Sequence, residues 1–250
     1  NLDVMEVKLD IPKEKIRDFL FKRDKYDTYK KKVYENAHKI LEEESELDSE
    51  FKYLRKRRID NLGNSKFLKK LITHHENRTV EFKASFFTNP KTGQVNATTQ
   101  HWALKAICGF LNAYGGYLLI GVRDNQEVRG ILNDNFSDAD TYVRKLETLI
   151  SNCLGDVATK YIDIRITHFE KGDKLIANNK EYVLDDSLPI CAIGVESSKS
   201  PVMCRHKDYN KQSRNDTKLP VGHEFFYVRN NNQTKSLTLT DANKYISEHF

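Results

Sequence analysis

The stretch "ICGFLNAYGGYLLIGVRDN", residues 107–125, constrains this chain more than any other. An apolar stripe at helical spacing runs into a glycine pair, and the pair runs into a continuous apolar segment that ends at Asp124. Leu104, Ile107, Leu111 and Tyr114 share one helical face, which predicts a helix over about 100–114. One glycine of the pair ends that helix at positive φ, and the other lets the backbone turn into a buried strand, "YLLIGV". The order is helix, glycines, strand. A dinucleotide or phosphate loop needs strand, glycines, helix, because phosphate rests on a helix N-terminus. The chain also contains no GxxxxGK[ST]. The glycines are therefore connection chemistry, and the acid delivered by the strand becomes the residue to explain.

A second constraint precedes it. In "TVEFKASF", residues 79–86, Val80, Phe82, Ala84 and Phe86 alternate with Glu81, Lys83 and Ser85, which predicts a half-buried strand. Glu76 lies just ahead of it. If the strands at 79–86 and 117–123 are neighbours, Glu76, Glu81 and Asp124 converge beside Lys83. Clustered carboxylates raise one another's pKa unless a cation offsets them. Hard oxygen ligands of this kind suit Mg²⁺ or Mn²⁺, which can activate water and stabilise charge on a phosphate. Glu and Lys are also common on ordinary strand faces, and Asp124 can equally cap a turn at "RDNQ". His74 and His75 are further possible ligands, although a helix C-terminus holds histidine readily.

The remaining segments set the fold class. Residues 12–72 read as helical: Leu47, Phe51 and Leu54 share a face that Gly63 ends, and Phe67, Leu68, Leu71 and Ile72 form a short apolar face. Ser137 and Asp140 suggest a capping box for a helix with Tyr142, Val143, Leu146, Leu149 and Ile150 inward. Ile162, Ile164 and Ile166 alternate as a strand. "EYVL", "PICAIGVE", "PVMCR" and "EFFYVRN" follow as further strands, and Thr240 or Asp241 caps a last helix carrying Ala242, Tyr245 and Ile246. The class is α+β, a mixed sheet flanked by helices behind an all-helical N-terminal region, with domains at 1–73 and 74–250.

Composition bounds the rest. Hydrophobic residues make up 38% of 250, with 13 Phe and 12 Tyr, enough for a packed core and against disorder. No apolar run reaches membrane-spanning length and no leader pattern opens the chain, so a cytoplasmic protein without a membrane partner is expected. Asn stands first, as expected of a fragment or processed chain. Cys108, Cys153, Cys191 and Cys204 form no CxxC pair and read as reduced thiols. Cys191, Cys204 and His206 lack the second close pair of a zinc site. Net charge is +5, of which residues 1–75 carry +4 (19 Lys/Arg against 15 Asp/Glu), including the patch Arg55–Arg58 at a helix end. Such mild basicity permits a polyanionic partner without requiring one. The segment "RHKDYNKQSRNDTKLPVGHE" mixes Arg205, Lys207, Lys211, Arg214 and Lys218 with Tyr209, a combination suited to RNA or simply to solvent. Trp102 and the Phe-rich stripes are expected in the core.

"ENRTVEFKASF" followed by "LKAICGFLNAYGGYLLIGVRDNQEVRGI" resembles the core domain of the Schlafen family, the Schlafen AlbA-like domain. "VESSKSPVMC" and "EFFYVRNNNQTKSLTLTDANKYI" resemble its later elements, so the likeness runs from about 76 to 250. The resemblance implies a metal-dependent ribonuclease centre of two glutamates and one aspartate that cuts tRNA and rRNA. Glu76, Glu81 and Asp124 match those acids, Lys83 the lysine of the E-F-K element, and Arg229 a recurrent arginine that would contact phosphate. Arg123 departs from the pattern, standing where the family often has an acid, and it is a candidate phosphate contact. The zinc ligands of vertebrate members have no match. Two copies of the core line a cradle in those members, which implies a homodimer here. The expected function is a metal-dependent endoribonuclease on structured RNA, in anti-phage defence if the source is a microbe. The alternatives are a non-catalytic nucleic-acid-binding or regulatory module, a DNase using the same acids, and an assembly module.

Overall fold

The computed structural model describes residues 60–177, 180–184, 186–206 and 224–250. The expected helices of residues 12–59 lie outside these. The described residues belong to one compact unit, Arg58–Phe250. Helix 60–62 stops at a turn on Gly63, and α1 (Ser65–Thr73) follows, capped by the Asn64 side chain on Phe67 N at 3.2 Å. Leu62, Leu68 and Ile72 pack in the same cluster as Val80, Phe82 and Leu119. By packing, α1 is therefore part of the core rather than of the preceding region, ahead of the boundary expected at 73/74.

A four-stranded sheet forms the centre, built from β1 (Val80–Lys83), β2 (Gly116–Ile120), β3 (Ile162–Thr167) and β6 (Ile190–Val195) in the order β1-β2-β6-β3. The β1–β2 pair is parallel and the other two pairs are antiparallel, so the sheet is mixed, as the α+β reading requires. Every residue of β6 is buried, with Cys191, Ile193 and Val195 in one apolar cluster and Ile190 and Ala192 in the other. That burial on both faces explains its unbroken apolar run. On one face lie α2 (Ala97–Leu111) and α3 (Ala139–Leu154), which leads into the short α4 (Asp156–Thr159). On the other lie α1 and the hairpin β4–β5 (Lys174–Ala177, Lys180–Val183). Two-residue strands β7 (Cys204–Arg205) and β8 (Glu224–Phe225), the hairpin β9–β10 (Tyr227–Asn230, Gln233–Ser236) and α5 (Leu239–His249) complete the described chain.

Several local expectations shift. The helix of the opening stretch is 97–111, capped by Asn96 on Thr99 N at 2.9 Å, so Tyr114 lies beyond it and is exposed. Its buried C-cap, Asn112, donates to Val202 O (2.7 Å) and Tyr227 O (2.9 Å) and accepts from Val202 N (2.8 Å). One amide thus ties the β6–β7 connection and β9 to the helix end. Gly115 takes φ +72°, and a Cβ there would stand 2.5 Å from Val195 O, so the turn into β2 demands glycine.

The strand predicted over 79–86 ends at Lys83. Beyond it Asp134, 4% exposed, accepts hydrogen bonds from the N–H groups of Phe86, Phe87 and Thr88 and from the hydroxyls of Ser85, Thr88 and Tyr142. This carboxylate gathers the chain into a bend. Ser85 therefore leaves the polar face for the interior, and Phe86 joins the cluster opposite that of Val80 and Phe82.

The cap of α3 is Asp138, not Ser137, and that of α5 is Thr238, not Thr240 or Asp241. "EFFYVRN" is split at Phe226 between β8 and β9. Trp102 is 54% exposed rather than core. All four cysteines are buried free thiols, and Cys191, Cys204 and His206 form no metal group. Among the described residues no helix is long and apolar enough to cross a membrane.

Candidate active site

The parallel pairing of β1 with β2 builds the site. Glu81 stands opposite Leu118 and Lys83 opposite Ile120, so both share the sheet face covered by α2, while Val80 and Phe82 point to the other cluster. Because β1 is an edge strand, its outer N–H and C=O groups need partners. Glu76 supplies one: its Oε1 accepts from Phe82 N at 2.8 Å. Burial raises the Glu76 pKa, the Phe82 N–H lowers it, the carboxylates of Glu81 and Asp124 raise it, and Lys83 lowers it. The charges of Glu81, Lys83 and Asp124 thus all reach Glu76.

Glu81 is the most constrained acid. Its Oε1 accepts from Lys83 Nζ at 2.5 Å, and its Oε2 accepts from Arg229 Nη1 at 2.5 Å. Lys83 also donates to Phe82 O at 2.8 Å. Arg229 is not a surface cation. Its side chain is 1% exposed, and Nη2 donates to Asn77 O (2.6 Å) and Val80 O (3.2 Å), with the guanidinium 5.2 Å from the Phe110 ring centroid. It straps β9 across the edge of β1. Gly109 permits this approach, because a Cβ there would lie 2.5 Å from Thr234 Cγ2 and 3.4 Å from Arg229 N.

Asp124 begins an exposed turn after β2. Gln126, fully buried at φ 67°, holds that turn by donating from Nε2 to Ile72 O (2.5 Å) and Thr73 O (3.2 Å) at the end of α1. The loop carrying Asp124 is therefore tied to the segment that leads into Glu76. Neither Gln126 nor Asp134 stands out in the sequence, since each sits in a polar stretch with turn composition; only their burial reveals them.

Arg123 does not enter the acid cluster. It pairs with Glu127 Oε2 at 2.9 Å, and Arg129 takes Glu127 Oε1 at 2.7 Å. The departure at this position thus leaves the three acids unopposed by it. His74 Nδ1 contacts Lys70 O at 2.7 Å, as a helix-end histidine does. Arg205 is exposed on β7, 4.0 Å from Glu224. Lys207, Lys211, Arg214 and Lys218 lie outside the described residues.

A sequence model of the family described as Schlafen, AlbA_2 matches residues 76–238. The chain belongs to the Schlafen AlbA_2 family. The match begins on Glu76 and takes in Glu81, Lys83, Asp124 and Arg229. Schlafen membership supports a nucleic-acid-related role and is compatible with a nuclease. No curated protein matches. Among solved structures, the crystal structure of the DIP2311 protein from Corynebacterium diphtheriae is similar at 16% identity and a TM-score of 0.39, over 69% of this chain. The alignment spans 28% of that protein's length.

Carboxylate oxygens are the donor type that a hard divalent cation takes, and the charges of Glu81, Lys83 and Asp124 all reach Glu76. The arrangement is not a ready-made metal site: among the described residues no three His, Cys, Asp or Glu side chains stand grouped to hold an ion. Both oxygens of Glu81 are already matched, by Lys83 and by Arg229.

Proposed function

We propose that this Schlafen-family chain is a metal-dependent endoribonuclease acting on structured RNA, with tRNA the first substrate to try. What supports the reading is that Glu81 and Lys83 share one face of β1 beside β2, that Glu76 is bonded to the same strand, and that the charge of Asp124 reaches Glu76. Glu76, Glu81 and Asp124 would hold Mg²⁺ or Mn²⁺. Such an ion supplies a nucleophilic water at neutral pH and charge to offset a developing phosphorane. The rest is the work of the protein's own groups. Glu81 becomes available as a ligand by loosening one of its two ion pairs. Lys83 is the partner to yield, because its side chain is 22% exposed while that of Arg229 is 1% exposed and strapped to two carbonyls. A released Lys83 ammonium is placed to meet a phosphate oxygen. Arg229 stays behind Glu81 and fixes its direction. A homodimer would double the groove, and defence against phage is a use consistent with RNA cleavage.

A second reading, a non-catalytic nucleic-acid-binding module, is favoured by the matched state of both Glu81 oxygens. One experiment separates the two. Wild type, Asp124→Asn and Glu81→Gln are incubated with tRNA, single-stranded DNA and duplex DNA, in Mn²⁺ and in EDTA. Cleavage of tRNA by wild type in Mn²⁺ alone, lost in both variants, is the expected result. Binding of tRNA by all three proteins with no cleavage sinks the enzyme reading, and cleavage of DNA alone converts it to a DNase. Light scattering tests the dimer.

A further inference from the structure

The sequence contains one tryptophan, and the fold puts it outside the core. Trp102 is 54% exposed on α2, with Lys105 one helical turn further along the same face. A single exposed apolar side chain means little, but Trp102 lines two adjoining clefts. One, of about 390 Å³, is bounded by Glu81, Lys83, Lys105, Arg229 and Thr234. The other, of about 420 Å³, is bounded by His101, Lys105, Tyr227, Thr234 and Lys235. Trp102, Lys105 and Thr234 are common to both, so the indole stands where the clefts join. Each volume is in the range of small-ligand sites, about 300–1,000 Å³.

The charge around the indole is predominantly positive. The first cleft holds Lys83, Lys105 and Arg229 against Glu81, whose carboxylate is already paired with two of them. The second holds Lys105 and Lys235 and no carboxylate. Lys105 keeps its ammonium 5.6 Å from the Tyr227 ring centroid and lines both clefts with Trp102. A flat apolar face between lysines complements a ligand with a π-face and flanking anionic charge, and an unpaired nucleotide has both.

We infer that Trp102 is a stacking platform for one unpaired nucleobase, with Lys105 and Lys235 on the adjacent phosphates, placed beside the Glu81–Lys83 centre. This deepens the nucleic-acid reading and rests on it, though not on cleavage. The substrate class it selects is RNA with a single-stranded loop, bulge or end at the site. A continuous duplex has no free base face to offer.

Because Trp102 is the sole tryptophan, it reports on itself. The full chain in EDTA is titrated with a short oligouridylate, with the same oligomer annealed to its complement, and with inorganic polyphosphate. Quenching of tryptophan emission by the single strand, well beyond that by duplex or polyphosphate, is expected. Anisotropy of a labelled oligouridylate should show binding weakened about tenfold or more in Trp102→Ala. Trp102→Phe should recover most of that affinity, and both variants should melt like wild type, since the side chain is surface-borne. Equal quenching by polyphosphate or duplex overturns the inference, as does unchanged binding by Trp102→Ala. If tRNA is cut in Mn²⁺ while Trp102→Ala binds like wild type, the stacking site falls and the nuclease reading stands. Quenching and weakened binding without any cleavage keep the stacking site and remove the nuclease.

Discussion

Replacing Arg229 by Met tests whether this arginine is a buried strap or a phosphate contact. Its guanidinium is almost fully enclosed and meets Glu81, whose side chain is 14% exposed, at 2.5 Å. Breaking a buried pair by removing one partner costs about 3–5 kcal/mol, because a desolvated charge is left behind. Lys83 remains on the other oxygen of Glu81, which favours the low end, about 3 kcal/mol. The carbonyl of Asn77 also loses a 2.6 Å donor, adding about 1 kcal/mol. Methionine fills much of the vacated volume, so little further cavity cost is expected. The sum, about 4 kcal/mol, is a large part of the roughly 5–15 kcal/mol available to a domain. It should lower Tm by about 8–16 °C at roughly 2–4 °C per kcal/mol for a unit of this size. Urea unfolding of wild type, Arg229→Met, Glu81→Gln and the double variant checks this. The double variant should cost less than the two singles together by about 1–3 kcal/mol. A loss under about 1 kcal/mol in Arg229→Met, or strict additivity in the cycle, would refute the strap, since a solvent-facing phosphate contact gives both.

Other expectations follow from the same contacts. Asp134→Asn turns an acceptor for six donors into a group with one acceptor oxygen and an opposing NH₂, and should cost about 3 kcal/mol or more in urea unfolding; a neutral result removes Asp134 as the organiser of the bend after β1. The Asp138 carboxyl is pulled from 3.8 to about 2, chiefly by the Thr141 N–H and then by the Ser137 and Thr141 hydroxyls. Its folded pKa lies below its unfolded one, so its support is present above about pH 4 and fades between about pH 4 and 2. Asp138→Ala should flatten acid unfolding in that window, and an unchanged acid limb disproves the cap's role. Burial pushes the Cys108 thiol up to about 12, and the other three cysteines are also buried. Iodoacetamide at pH 8 should therefore label none of them until urea is added, and native labelling at any one contradicts the packing.

Much of the site was legible locally. The alternation through β1, the helix–glycine–strand passage and the acid after β2 are short-range patterns, and each is set by backbone periodicity or by a position that only glycine can occupy. They were enough to place Glu81 and Lys83 on one face of β1 and Asp124 after the neighbouring β2, given one assumption about neighbouring strands, which the parallel β1–β2 pairing meets. The misses share a cause. Ser85 leaves its strand because Asp134, 49 residues later, claims its hydroxyl. Gln126 reads as turn filler until α1 presents carbonyls to it.

The periodicity of side chains along the backbone is written in the sequence, so it determined the α+β class, the connection at Gly115 and the acids at the strand ends. Which groups are desolvated, and by whom, depends on segments far apart in the chain. Only the tertiary structure turned Arg229 inward onto Glu81, turned Arg123 aside onto Glu127 and left Trp102 facing solvent between two lysine-lined clefts. Burial and charge pairing are properties of the packed molecule, and composition and spacing do not contain them.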